Sequence, residues 1–315
     1  MKKSIQLILF LFLSMTFVLQ AQVSEEEKTM SQGVNNAVVV NIPTTTTKIA
    51  ERVWKNYAKK EFGGKTKRNR KTEEWTTTDA QMASFSEEKV TIYAQIQSNN
   101  EDVELAMWIP GVDGYLSSTD YPDAYKEAEK LLDSYALEVR IETVNEEMKD
   151  KEKILGKLEK DLKKLKKDND GYHKDIKNAE RKITESEEGL IKNAEDQEVA
   201  RQNVRIAEDY FVIQRDSLED LLAVASNKDE KKSLKKELKG EERKVKMAKG
   251  VQKKEEREEN KLRRTIENSK KTIKDSEEKI VTNLKEQERK VEEIAKQEKV
   301  VEEVADRLKK LKDLR

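Results

Sequence analysis

LLAVASNKDEKKSLKKEL, residues 221–238, decides how the chain is folded. Apolar residues recur every seven positions before this stretch and again after it, but the two series are out of phase by one residue. Ala225 and Leu238 both fall on the first core position (a), yet they are 13 residues apart, one short of two heptads. The slip falls on Ser226-Asn227-Lys228-Asp229, residue types that favour turns and helix caps. The sequence therefore predicts a helix to about 225, a turn over 226–229 and a second helix from about 230.

Upstream, with Ile141 taken as a, every seventh residue to 225 reads Ile, Met, Leu, Leu, Asn, Ile, Ile, Leu, Gln, Val, Phe, Leu, Ala. The second core position (d), from Val144, reads Val, Lys, Leu, Leu, Tyr, Ala, Ser, Asn, Ala, Ala, Gln, Leu. Nineteen of these 25 positions are apolar with no change of phase, the pattern of a left-handed coiled coil. Downstream, Leu234 and Leu238 open a seam that continues at a through Val245, Ile266, Ile273, Ile280, Ile294, Val301 and Leu308.

Folding the chain back at 226–228 tests the two seams against each other, because an amide or carboxylate facing Leu in a dry seam loses its water without gaining a partner. Asn169 then falls opposite 283–287, and Gln197 opposite 255–259. Ile176 and Ile183 meet 273–280, and Leu218 meets 234–238. These coincidences favour an antiparallel hairpin. An arm of roughly 85 residues at 1.5 Å per residue is on the order of 130 Å long, so the predicted object is a mechanical spacer. A weak repeat relates 176–198 to 266–288 at 9 of 23 positions; duplication and shared heptad bias both account for it.

Before the stalk, residues 34–135 read as an α+β head. AVVVNI (37–42) is a candidate strand ended by Pro43, and Ile49, Val53, Trp54, Tyr57 and Phe62 mark a helix that stops at Gly63-Gly64. Alternation in 90–96 and 103–109 predicts two strands joined at Ser98-Asn99-Asn100 as an antiparallel hairpin. Pro122 suits the first turn of a helix, which would join head to stalk through Leu131, Leu132, Tyr135 and Val139. The expected fold is thus a small α+β head (strand, helix, antiparallel strands, helix) with a sheet covered on one face, followed by a long antiparallel coiled-coil hairpin over 136–315.

Met1-Lys2-Lys3 followed by an apolar core up to Leu19 and then Ala21 reads as a signal peptide over 1–21, cleaved before Gln22, with 22–33 as a flexible linker. An uncleaved anchor is the other reading. No later segment is apolar enough to stop transfer, so the chain is expected to be exported to a periplasm or cell surface with no transmembrane segment after cleavage. The absence of Cys removes disulfides, lipid attachment at Cys and thiolate metal sites.

Of the 315 residues, 41% are charged and 5% aromatic, too little apolar volume for one compact globule of this length. Lys+Arg and Asp+Glu number 64 each, and this balance gives no general attraction for nucleic acid. All three Pro and all three Trp lie within the first 122 residues, again separating a globular part from a helical one.

Few motifs carry chemistry. Gly64-Lys65-Thr66 resembles the end of a phosphate loop, but Lys59 stands where glycine is required and a helix precedes it instead of a strand. His173, the sole histidine, has Asn169 and Lys177 four residues away, poor partners for a base or ligand. Asp168-Asn169-Asp170-Gly171 resembles a calcium loop, yet Lys166 and Lys177 occupy ligand positions. Ser117, Ser118 and Asp113 in the 111–121 loop are the only hydrolase candidates. No cofactor is expected.

Two features remain. Lys65, Lys67, Arg68, Arg70 and Lys71 read either as an anion-binding patch for envelope polymers or head groups, or as a charged edge strand balanced by Glu73 and Glu74. Tyr210, Val212, Ile213, Leu222 and Val224 lie outside a and d. They read either as a surface for a protein partner or self-association near the hairpin tip, or as a wider local core with Met247 and Val251.

The short leader ending Gln20-Ala21-Gln22, the small head and the heptads resemble uncharacterised exported head-plus-coiled-coil proteins of Gram-negative bacteria. The resemblance holds in outline and implies no functional residues. The expected function is a non-enzymatic envelope scaffold or adaptor whose stalk spaces the head from a protein partner; the alternative is a module whose head captures an anionic small molecule, lipid or glycan.

Overall fold

The computed structural model describes residues 22–315 apart from 84, 101 and 113. The expected signal peptide, 1–21, lies outside the described residues. Six strands, Gln22–Met30 (β1), Gly33–Ile42 (β2), Lys65–Arg68 (β3), Glu74–Met82 (β4), Ser86–Asn99 (β5) and Asp102–Trp108 (β6), form one antiparallel sheet in the order β1-β2-β6-β5-β4-β3. Helix α1 spans Thr47–Phe62, and two long helices follow, α2 (Pro122–Val224) and α3 (Lys228–Lys312). The fold is the expected α+β head followed by a long helical hairpin. Two compact units make up the chain: one holds the residues up to Gly156 together with Lys296–Arg315, the other Lys157–Ala295.

In the first unit, β2 explains why AVVV is apolar at successive positions. Val38, Val40 and Ile42 enter the main core with α1 and the first turns of α2, while Ala37 and Val39 enter a second cluster with Met30, Ala106 and Trp108. A strand buried on both faces loses the polar half of its alternation. The one-face expectation is corrected accordingly: Tyr115, from the loop before α2, packs against that second cluster.

Residues 22–30 are also corrected, from flexible linker to β1, which pairs with β2 along its whole length. QVSEEEKTM carries little apolar signal, since an edge strand leaves much of its surface to water. Lys28 is anchored there by Glu104 at 3.0 Å. The sheet therefore begins twelve residues before the predicted head boundary at 34.

α1 starts at Thr46, whose hydroxyl accepts from Ile49 N, and ends at Gly63 with φ 68. Gly64 is required for another reason: a Cβ there would lie 2.0 Å from Thr78 O. Only glycine lets β3 approach β4 at that point. Trp54, Tyr57 and Tyr135 form an aromatic cluster between α1 and α2, with Trp54 and Tyr135 edge-on at 5.2 Å. Tyr57 Oη donates to Leu131 O at 2.6 Å and Tyr135 Oη to Ala50 O at 3.0 Å. Leu132, Tyr135 and Val139 are fully buried, as expected of the junction, while Leu131 is half-buried. The end of α3 belongs to this unit too, where Gln297 donates to Lys151 O and Arg315 pairs with Glu138 at 3.1 Å.

The second unit is the hairpin proper. Asn169 Nδ2 donates to Asn283 Oδ1 at 3.4 Å, Asn193 Nδ2 to Glu255 Oε2 at 3.1 Å, and Gln197 Nε2 to Glu259 Oε2 at 2.8 Å. Polar seam residues thus meet polar ones, as the fold-back required. Counting residue for residue from Asn169 and Asn283 sets Ile176 level with Ser276 and Ile183 level with Ser269. Both serines are buried, so each isoleucine is level with a small polar residue, and for Ile183 the level position is one helical turn away from the expected 273–280. Asn227 begins the return: its side chain accepts from Asp229 N at 2.9 Å and its carbonyl from Lys231 N at 3.0 Å. The helices end and restart at Val224 and Lys228, within two residues of the predicted break.

Candidate functional site

The hairpin tip carries the largest group of exposed apolar side chains. Tyr210, Ile213 and Val224 are exposed, as are Met247 and Val251. The reading of Met247 and Val251 as a wider local core is therefore corrected, because each leaves more than half its surface in water. Leu222 is half-buried against the end of its helix.

The proposed tip surface is not one face. Tyr210 and Lys244 share a lateral side of the hairpin, with Lys244 Nζ 5.8 Å from the ring centroid. Glu208 and Lys249 pair at 2.7 Å, and their heptad positions place them on the opposite side. Val212 belongs by register to that charged side. Val199 and Ile206, exposed and seven residues apart in line with Ile213, belong with Tyr210. Sequence reasoning passed over these two, although their seven-residue spacing outside a and d was a readable signal.

The basic run lies at the far edge of the sheet. Lys65, Lys67 and Arg68 are in β3, and Arg70 and Lys71 follow in the turn to β4. Arg68 pairs with Glu51 at 2.9 Å and with Glu73 at 3.7 Å. Glu74 does not balance the run: it is buried and accepts from Ser31 N. Thr66 Oγ1 bonds Thr77 Oγ1 at 3.0 Å within the sheet, so Gly64-Lys65-Thr66 leads into a strand and presents no helix N-terminus to a phosphate.

In the 111–121 loop, Ser117 Oγ donates to Asp120 Oδ2 at 2.7 Å and accepts from Asp120 N at 2.9 Å, a local turn in front of α2. Ser118 N donates to Glu25. Burial alone would raise the Glu25 carboxyl, but hydrogen bonds from Ser118 and Asn36 outweigh it and hold the group below its usual range. These contacts fasten the loop to β1. Asp113 lies outside the described residues. His173 is exposed, and Asp168-Asn169-Asp170-Gly171 is continuous helix, not a loop.

Beside the start of α2 is an open groove of about 540 Å³ lined by Val23, Lys126, Glu129, Lys130, Asp133 and Arg140 among others. Burial raises the Asp133 carboxyl. Charges of both signs line this groove, and it lacks the enclosing apolar walls of a small-molecule site. Among the described residues there is no group of three or more His, Asp or Glu able to hold a metal ion, and no helix long and apolar enough to cross a membrane.

No protein-family model matches the sequence, and no curated protein matches it. Among solved structures, the Smc head domain with a coiled coil and joint derived from Pyrococcus yayanosii is 14% identical, with 92% of this chain and 69% of that chain covered at a TM-score of 0.27. Likeness at that level carries neither fold nor activity to this protein.

Proposed function

We propose that this protein is a non-enzymatic, exported cell-envelope scaffold or adaptor, in which the helical hairpin spaces the head from a protein partner. The observation that carries the reading is the set of polar seam contacts Asn169 to Asn283, Asn193 to Glu255 and Gln197 to Glu259. A purely apolar seam slides by heptads at little cost, whereas buried polar pairs fix a single register. A spacer needs a defined length, and a defined length needs a fixed register. Export rests on the leader sequence over 1–21.

The test is photocrosslinking in cells from two positions, Val112 in the head and Lys232 beside the hairpin turn, both exposed. Protein adducts are expected at both. Deleting 176–189 together with 263–276 removes two level heptads from each arm and preserves phase. That shortened chain should keep the Val112 adduct and lose the Lys232 adduct. Retention of both adducts at reduced length, or no protein adduct from either position, would refute the spacer role.

A further inference from the structure

We infer that the hairpin tip is a homodimer interface: two copies pack face to face through Val199, Ile206, Tyr210, Ile213, Met247 and Val251, with both tips pointing the same way. The inference rests on the spacer reading only in taking the tip as a contact end.

The six residues share one lateral side. Val199, Ile206 and Ile213 repeat at heptad position c of α2 and Tyr210 at g; Met247 and Val251 occupy c and g of α3. In an antiparallel pair the two g positions flank the seam on the same side, as Tyr210 and Lys244 do, and the two e positions flank it on the other, where Glu208 pairs with Lys249. Ile206 lies level with Met247, so the apolar residues of the two arms share one level of that side.

All six are between 48% and 72% exposed. A side chain of this size left half in water shows on the order of 100 Å² of apolar surface, giving roughly 600 Å² together, the upper limit for the largest patch on an ordinary monomer. With its rim, the face approaches the roughly 800 Å² per partner that a stable pair buries.

Charge selects the occupant and its direction. Along the outer edge of this face on α2, position f reads Glu195, Gln202, Asp209, Asp216. Along the outer edge on α3, the level residues read Arg257, Gly250, Arg243, Lys236. One rim is acidic and the other basic, step for step, with a neutral residue facing glycine at the one uncharged level. A two-fold axis parallel to the hairpin lays each acidic rim on the basic rim of the second copy and so pairs Glu195 with Arg257, Asp209 with Arg243 and Asp216 with Lys236. A perpendicular axis in the same plane reverses the second copy and lays acid on acid. The same surface is then self-complementary in one orientation alone, as an isologous contact requires.

The experiment is sedimentation equilibrium of residues 22–315. A dimer is expected at micromolar concentration, and Ile206→Lys with Ile213→Lys should weaken it at least roughly 100-fold, since two buried apolar anchors are lost and two charges trapped. Asp209→Arg and Arg243→Asp lie on exposed edges away from the seam, so far-UV circular dichroism should be unchanged. Each alone should weaken self-association roughly tenfold. Mixed, the two variants should form a heterodimer, because the introduced arginine of one chain then faces the introduced aspartate of the other, and the unaltered Asp209 and Arg243 meet at the twin contact. A monomer at tens of micromolar, or a dimer indifferent to the lysines, overturns the interface. A dimer strengthened by Asp209→Arg overturns the parallel orientation. A monomeric chain that still gives head and turn adducts leaves the spacer reading standing; a dimer whose shortened form keeps both adducts removes the spacer reading alone.

Discussion

Tyr135 makes two separable contributions to the attachment of α2 to the head. Its hydroxyl donates to Ala50 O at 3.0 Å, and its fully buried ring lies 5.2 Å from Trp54 and 5.6 Å from Tyr57 between centroids. Tyr135→Phe removes only the hydroxyl. Ala50 O sits within α1 and keeps its helical bond, so it is not orphaned, and the expected loss is about 1 kcal/mol. Tyr135→Ala removes the ring as well, and truncations of this kind cost about 3–5 kcal/mol. Ring packing therefore accounts for the larger share, and the alanine variant forfeits much of a domain stability of about 5–15 kcal/mol. Trp54, Trp75 and Trp108 all lie in the first unit, so urea unfolding followed by tryptophan fluorescence reads that unit, while far-UV circular dichroism is dominated by the long helices. The fluorescence midpoint should fall slightly for Phe and steeply for Ala. Equal midpoints for the two variants would refute ring packing as the anchor.

Burial raises the Tyr57 and Tyr125 hydroxyls to about 12 and that of Tyr135 well above its usual value, with Glu51 adding to the last. Their contribution to stability is full below the ordinary tyrosine value near 10 and is lost as pH rises through the folded values, so the head should melt between about pH 10 and 12; Tyr135→Phe should flatten that loss in a pH-dependent thermal melt. Glu25 has the opposite sign: its lowered carboxyl stabilises above the unfolded value and is lost on acidification. Protection factors of the amides in 22–30, referred to the intrinsic exchange rate at each pH, should fall at acid pH in wild type, and Glu25→Gln should remove that dependence. Gly64→Ala should cost about 1–3 kcal/mol or more through its left-handed φ and the clash with Thr78 O, read as a lower fluorescence midpoint. Asn169→Leu with Asn193→Leu leaves Asn283 and Glu255 facing leucine, so it should lower the helical melting temperature and broaden the distance distribution between spin labels at Lys164 and Glu288, level in the native register. A single sharp distance in that variant would show that the amides do not set the register.

The hairpin was legible because a seven-residue repeat is an averaged signal, and one lost residue at 226–229 stands out against it. Its register was legible from Asn169 and Gln197 because half-buried amides at a seam demand partners. β5 and β6 were legible from alternation. β1 was not: QVSEEEKTM reads as solvated chain, and only its pairing to β2 makes it a strand. The second small core was hidden for a related reason, since Trp108 at the end of β6 and Tyr115 are isolated aromatics until the loop brings Tyr115 over the sheet. At the tip, apolar residues outside the seam were visible, but their side was not. Val212 and Ile213 are neighbours in the chain and lie on opposite sides of the hairpin, so adjacency misgrouped them. Assigning a side requires the partner arm, and Met247 and Val251 come from it.

The contact between Glu138 and Arg315 spans 177 residues of sequence. Its consequence is one of timing. The first arm is synthesised long before its mate exists, with its seam of isoleucines and leucines unpaired. The closing arm is made last, and zipping can finish only when the final residue is released. Such a chain benefits from a holdase during the interval, and a reporter fused after Arg315 would sit beside the head, next to Glu138.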